Sequence, residues 1–94
     1  MVTVRKRFVE FRFLRPHARR VAVAGDFNGW RQDTIPMKPL PGGFWQAKVR
    51  LPPGSFRFRY CADGQWYTDY AAFGVEPGPY GPVSIVYIPS RTSN

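Results

Sequence analysis

The sequence predicts an all-β protein, a single immunoglobulin-like β-sandwich, on three observations. Apolar and polar residues alternate with a period of two through nearly every segment, and no segment of useful length carries the 3.6-residue period of a helix. Turn signals built from 9 Gly and 10 Pro recur along the 94 residues, dividing the chain into about six to eight short strands. Aromatics make up 17% of the chain, which supplies the bulk for one core, and the length fits one domain.

Each element follows from its own pattern. Val9, Phe11 and Phe13 alternate with Phe8, Glu10, Arg12 and Leu14 in a first strand. Arg15-Pro16-His17-Ala18 turns the chain, because proline cannot donate to a ladder. Val21, Val23, Gly25 and Phe27 are the inward set of a second strand, which Asn28-Gly29 stops. Residues 31–36 are polar and unpatterned, and residues 35–40 read as a proline-broken edge segment. Pro41-Gly42-Gly43 leads into a strand over residues 44–51, where Trp45, Ala47, Val49 and Leu51 form the inward set, assigning Trp45 to the core. Pro52-Pro53-Gly54 turns into a hairpin whose arms are residues 56–62 and 66–69. Residues 71–82 are expected as loop, 83–88 as a last strand and 89–94 as a polar tail. Residues 1–7 are expected as a basic lead-in, with the sandwich spanning 8–88.

The hairpin orients the first candidate site residues. Asp63-Gly64 between two aromatic-rich runs is the signature of a type I′ turn, which needs φ > 0 at both central residues. A two-residue loop there sets Ala62 opposite Gln65, Cys61 opposite Trp66 and Tyr60 opposite Tyr67. Opposed residues share a face. Trp66 therefore joins Cys61, Arg59 and Arg57 on the face opposite Phe56, Phe58 and Tyr60. With the aromatic run in the core, Trp66 and Arg59 are diagonal neighbours on the outside. Arg57 and Arg50 read as solvated strand residues.

Charge and composition narrow the function. The net charge is +8, but residues 1–20 carry +6 of it, through Arg5, Lys6, Arg7, Arg12, Arg15, Arg19 and Arg20 against Glu10. A basic first strand is also how a sheet edge is protected from pairing with another edge. This distribution argues against a nucleic-acid groove, which would require steeply salt-dependent binding. No apolar run approaches the roughly 18 residues of a spanning helix, and Arg5, Lys6, Arg7, Glu10 and Arg12 interrupt any signal-peptide core. No membrane association is expected. The single cysteine, Cys61, forms no internal disulfide and suits a cytoplasmic location.

Catalytic chemistry is sparse. The single histidine, His17, sits beside a proline in a turn, so no Ser-His-Asp set assembles around it. One Cys and one His make no metal site of known spacing, and neither metal nor cofactor is expected. The six acids Glu10, Asp26, Asp33, Asp63, Asp69 and Glu76 fall mostly at turns, where Asp caps backbone groups. No facing carboxyl pair of the kind glycoside hydrolysis uses is apparent. The chain is expected not to be an enzyme.

Four motifs carry a family resemblance: Gly25-Asp26-Phe27-Asn28-Gly29-Trp30, Gly43-Phe44-Trp45, Pro53-Gly54-Ser55-Phe56-Arg57-Phe58-Arg59-Tyr60 and Asp63-Gly64-Gln65-Trp66-Tyr67-Thr68-Asp69. In this order and spacing the chain resembles carbohydrate-binding module family 48 over about residues 8–88. That family includes the glycogen-binding module of the AMP-activated protein kinase β subunit and the early-set N-terminal domain of isoamylases and branching enzymes. The resemblance implies an early-set sandwich that binds α-1,4-glucans, with Trp30 and Trp66 stacking on glucose rings and Arg59 bonding sugar hydroxyls. Trp30 lies beyond a turn and parity does not orient it, so its role rests on the resemblance alone. Arg59 stands where the kinase module has lysine.

A late loop, which supplies the family with an apolar wedge and a polar side chain, maps to Tyr80 and Ser84. Tyr80 reads equally as a loop anchor. Asparagine is commoner in the family at the Ser84 position, and Pro82 stands where a side-chain donor is common. The expected function is a stand-alone, non-catalytic module for an α-glucan polysaccharide or oligosaccharide such as glycogen or maltodextrin. The alternative is a protein-docking module that keeps the fold and engages an enzyme of glycogen metabolism.

Overall fold

One strand does double duty in this molecule, and the rest of the fold is arranged on its two sides. The computed structural model describes residues 1–79 and 81–90. Its strands are β1 (Val2–Val4), β2 (Val9–Leu14), β3 (Val21–Gly25), β4 (Lys38–Pro39), β5 (Phe44–Val49), β6 (Gly54–Ala62), β7 (Gln65–Tyr67), β8 (Gly74–Gly78) and β9 (Gly81–Ile88). Short 3-10 turns occupy Asp26–Asn28 and Pro41–Gly43. Two antiparallel sheets form a sandwich: β1-β2-β5-β4, and β3-β6-β9-β8 with β7 also paired to β6. This is the expected all-β, immunoglobulin-like architecture. Among the described residues no helix is long and apolar enough to cross a membrane.

The inner faces carry the residues that alternation selects. Val9, Phe11, Val21, Val23, Phe58, Tyr60, Val86 and Ile88 are fully buried. Aromatic rings join the two sheets: Phe11 meets Phe58 edge-on at 4.9 Å, and Phe13 stacks on Tyr60 at 4.6 Å. Such pairs add about 0.5–1.5 kcal/mol each beyond burial of area. Trp45 packs half-buried against this core, its indole N–H donating to the Arg15 carbonyl at 3.0 Å. Burial pushes the Tyr60 hydroxyl well above the usual phenol range, helped by the neighbouring Asp69 carboxylate, to which it donates at 2.9 Å.

Residues 35–40 cross between the sheets. Ile35 and Met37 exchange backbone hydrogen bonds with β3, Pro36 bridges Ala22, and Lys38 and Pro39 then pair with β5.

Two expectations are corrected. Residues 1–7 are more than a lead-in, since β1 pairs with β2 and Val2 is buried in the core. Residues 71–82 are not all loop: β8 pairs along β9 from Gly74 opposite Ile85 to Gly78 opposite Gly81. Pro77 sits at the sheet edge, where a missing N–H costs nothing, so its composition disguised a strand. Asp69 is buried, and its carboxylate accepts from the Ala71 N–H at 2.9 Å, the backbone capping expected of it. Residues 89–90 follow β9 without regular structure, and residues 91–94 of the expected tail lie outside the described residues.

β6 changes partner partway along one edge. Gly54 to Phe58 pair with β9, and Tyr60 to Ala62 pair with β7. Arg59 falls at the fork between them. The fork is closed by Ser84, whose hydroxyl accepts from the Asp69 N–H at 2.6 Å and donates to the Asp69 carbonyl at 3.0 Å. Thr68 adds a hydrogen bond to the Pro82 carbonyl at 2.6 Å.

Two predictions follow from this packing. A Cβ added at Gly25 would collide with the Arg57 carbonyl and the Phe27 ring, so Gly25→Ala is expected to cost about 1–3 kcal/mol in urea denaturation. Tyr60 ionises more readily in the unfolded chain. Its contribution to stability is therefore complete below the ordinary phenol pKa of about 10 and is lost as pH rises beyond it. Stability is expected to fall by up to about 1.4 kcal/mol per pH unit in that range, and Tyr60→Phe to flatten the decline.

Candidate functional site

On the outward face of the second sheet, beside the fork in β6, lies a cleft of about 740 Å³. Trp30, Trp66, Arg59, Arg57, Asp26 and Glu76 line it, and Pro77, Gly78 and Pro79 border one side.

The hairpin delivers Trp66. Asp63 (φ 50°) and Gly64 (φ 83°) are both left-handed, as a type I′ turn requires. Cys61 pairs with Trp66 and Tyr60 with Tyr67, the register expected from the sequence. The Asp63 carboxylate fixes the turn by accepting from the backbone N–H groups of Arg19 and Arg20, at 3.1 and 2.9 Å. Register also sets Ala22 opposite Cys61 and Ala24 opposite Arg59. These small side chains leave room for large ones above them, and Ala24 and Cys61 are buried although they lie on the outward face. The Arg59 guanidinium rests over the Trp66 ring, 5.7 Å from its centroid.

Trp30 arrives by a tighter route. Gly25 approaches β6 so closely that no side chain fits, and the chain then turns through Asp26–Asn28 into two left-handed residues, Gly29 (φ 66°) and Trp30 (φ 62°). The left-handed conformation costs a non-glycine residue about 1–2 kcal/mol and is an outlier for a bulky one. Surrounding hydrogen bonds enforce it. Asn28 accepts from the Gly25 N–H at 2.9 Å and donates to Thr34 Oγ1 at 2.8 Å. The Trp30 backbone N–H bonds the Gly25 carbonyl at 2.9 Å, and its indole Nε1 donates to Asp26 Oδ1 at 3.3 Å. Strain held in this way concentrates at functional sites. The Trp30 and Trp66 rings meet at 6.5 Å and 64°.

Charges in the cleft balance. Arg57 is paired with Glu76 through Nε and with Asp26 through Nη1 at 3.7 Å. The hydrogen bond to Glu76, followed by its charge, raises the Arg57 pKa above the ordinary arginine value. Among the described residues Arg59 makes no ion pair, and its buried Nε–H has no hydrogen-bond partner. A buried donor left unsatisfied costs about 1–3 kcal/mol. Asp26, Glu76, Arg57 and Arg59 together carry no net formal charge.

The structure thus brings Trp30, Arg59 and Trp66 together. Tyr80 lies outside the described residues. Ser84 is corrected: its partner on β6 is Phe58, so the register turns it inward, where it is fully buried and bonded to Asp69. Arg57 is exposed, as expected of a solvated strand residue, and is in addition tied to two carboxylates in the cleft. Sequence reasoning missed Asp26 and Glu76 as cleft residues. Asp26 stood inside a quoted motif, but Glu76 lies in the strand read as loop, so no parity could orient it. Among the described residues no cluster of His, Cys, Asp and Glu could hold a metal.

The chain is similar to known proteins. The family model described as Carbohydrate-binding module 48 (Isoamylase N-terminal domain) matches residues 2–83. The chain is 43% identical over 60 residues to the 1,4-alpha-glucan branching enzyme GlgB 2 of Xanthomonas euvesicatoria pv. vesicatoria, covering 61% of this chain and 8% of that protein. It is 43% identical over 54 residues to the SNF1 protein kinase subunit beta-3 of Saccharomyces cerevisiae, covering 54% and 13%. The branching enzyme GlgB of Lactobacillus acidophilus aligns over 86 residues at 33% identity, covering 86% and 13%. The chain therefore spans between 8% and 13% of the length of these three relatives.

The strained turn gives a direct test. Trp30→Gly relieves the positive φ and Trp30→Ala does not, while both remove the ring. The glycine variant is expected to be more stable than the alanine variant by about 1 kcal/mol in urea denaturation.

Proposed function

The chain belongs to the carbohydrate-binding module 48 family, and on that premise we propose that it is a non-catalytic module binding α-1,4-glucans such as glycogen or maltodextrin in the Trp30–Arg59–Trp66 cleft. The observation that carries this is the pairing of two indoles 6.5 Å apart with an arginine guanidinium that lies 5.7 Å from the Trp66 ring centroid.

A pyranose ring presents C–H faces and a rim of hydroxyls. Flat indoles cover the faces at little entropic cost, and the Arg59 fork can donate to vicinal hydroxyls. The neutral cleft in a chain of net charge +8 favours an uncharged ligand over a polyanion. The names of the branching enzymes among the relatives point to 1,4-α-glucan as the polymer. The two carboxylates lining the cleft, Asp26 and Glu76, are both committed to Arg57, which leaves no free pair flanking a bond to be cleaved.

Two ring stacks at about 1 kcal/mol each beyond area burial, offset by ordering costs, give a Kd on the order of 0.1–1 mM for one short chain. Glycogen presents many chain ends, and rebinding raises the apparent avidity.

The alternative, docking to an enzyme of glycogen metabolism, is favoured by one observation: Ser84 is withdrawn from the outward face, which leaves the cleft one polar group short of expectation. It predicts no change in tryptophan fluorescence with maltoheptaose and capture of a partner that survives mutation of the cleft.

Native electrophoresis in gels containing glycogen is expected to retard the protein. Trp30→Ala and Trp66→Ala are each expected to weaken binding about tenfold, the equivalent of about 1.4 kcal/mol. Unretarded migration, with both variants behaving as the parent, would overturn the glucan assignment.

A further inference from the structure

Asp26, Arg57 and Glu76 come from three separate elements and converge in the lining of the cleft. Asp26 follows β3 and opens the turn that carries Trp30, Arg57 is on β6, and Glu76 is on β8. Asp26 uses both carboxylate oxygens. Oδ1 accepts from the Trp30 indole N–H at 3.3 Å, while Oδ2 accepts from the Arg57 backbone N–H at 3.0 Å and lies 3.7 Å from its guanidinium. The same guanidinium pairs through Nε with Glu76. Glu76 is held on the outward face because β8 sets it opposite Val83. The side chain of Arg57 therefore links the wall that bears Trp30 to the wall formed by β8.

We propose that Asp26 and Glu76 are positioning residues that act through Arg57: the three form a strut that fixes the Trp30 wall against the β8 wall before a glucan enters. This rests on the glucan-binding function argued above and adds the device that sets the width of the site. A flexible arginine ordered in advance by two carboxylates leaves less to be ordered on binding, and this is how preorganisation raises affinity. The strut also explains how a tryptophan in a strained backbone conformation keeps one ring position, since its indole N–H and the strut share one carboxylate. The ion pairs are partly exposed, with 54% of the Arg57 side chain accessible. Exposed pairs are individually weak, so the effect is several-fold rather than hundredfold.

The test is a double-mutant cycle on maltoheptaose affinity, read by tryptophan fluorescence in the parent, Glu76→Gln, Arg57→Met and the double variant. Glu76→Gln is expected to weaken binding about three- to tenfold while Tm stays within about 2 °C. In the Arg57→Met background the same substitution is expected to change affinity less than twofold. Parent-like affinity in Glu76→Gln would overturn the proposal, as would a loss that persists undiminished without Arg57. The unliganded protein supplies a second readout. In Glu76→Gln the indole N–H resonance of Trp30 is expected to shift while that of Trp45 stays in place, and an unmoved Trp30 signal counts against the strut. A parent protein that fails to bind maltoheptaose, yet shows that shift, refutes the glucan assignment and leaves the strut standing.

Discussion

The pleat of β6 is the constraint on which the rest of the structure depends. Successive residues of a strand face opposite sides, so one nine-residue segment supplies Phe58 and Tyr60 to the core and Arg57 and Arg59 to the cleft. A slip of one residue would exchange the two sets, burying guanidinium groups and exposing aromatic rings. The Asp63-Gly64 turn forbids that slip at one end of β6. Pairing with β3 and β9 forbids it along the length, and the strand's change of partner at Arg59 opens the space in which the cleft forms. Fold and site are therefore specified by the same alternation.

The second wall obeys a different logic. Trp30 is placed by a turn that no strand pattern encodes, and its left-handed backbone is disfavoured for its residue type. Asn28, the close approach of Gly25 to β6, and Asp26 hold it there. Charge then decides what the cleft suits. A chain of net charge +8 would be taken for a binder of polyanions, but its excess sits in the first 20 residues, and the four charged groups of the cleft cancel.

Much of this was legible in the sequence, and the gaps have physical causes. The hairpin register placed Trp66 and Arg59 on one outward face before any family entered, because a two-residue turn leaves no freedom in pairing. Trp45 could be assigned to the core by the alternation of residues 44–51, whose inward set it shares with Ala47 and Val49. Strand β8 was invisible because Pro77 and three neighbouring glycines (Gly74, Gly78 and Gly81) carry the composition of a loop, and an edge strand needs hydrogen bonds on one side only. With β8 went Glu76, and with Glu76 the role of Arg57. A family resemblance fixes the place of Ser84 along the chain and not its register: opposite Phe58 it faces inward, and its hydroxyl closes the fork between β7 and β9.

The three tryptophans occupy two kinds of place, with Trp30 and Trp66 in the cleft and Trp45 against the core, its indole N–H bonded to the Arg15 carbonyl. Titration with maltoheptaose followed by the three indole N–H signals in a ¹H–¹⁵N spectrum therefore tests the central claim most directly. The account predicts that the Trp30 and Trp66 signals move together along one binding curve while Trp45 stays fixed. Movement of Trp45 alone, or three unmoved signals at tens of millimolar sugar, would contradict it.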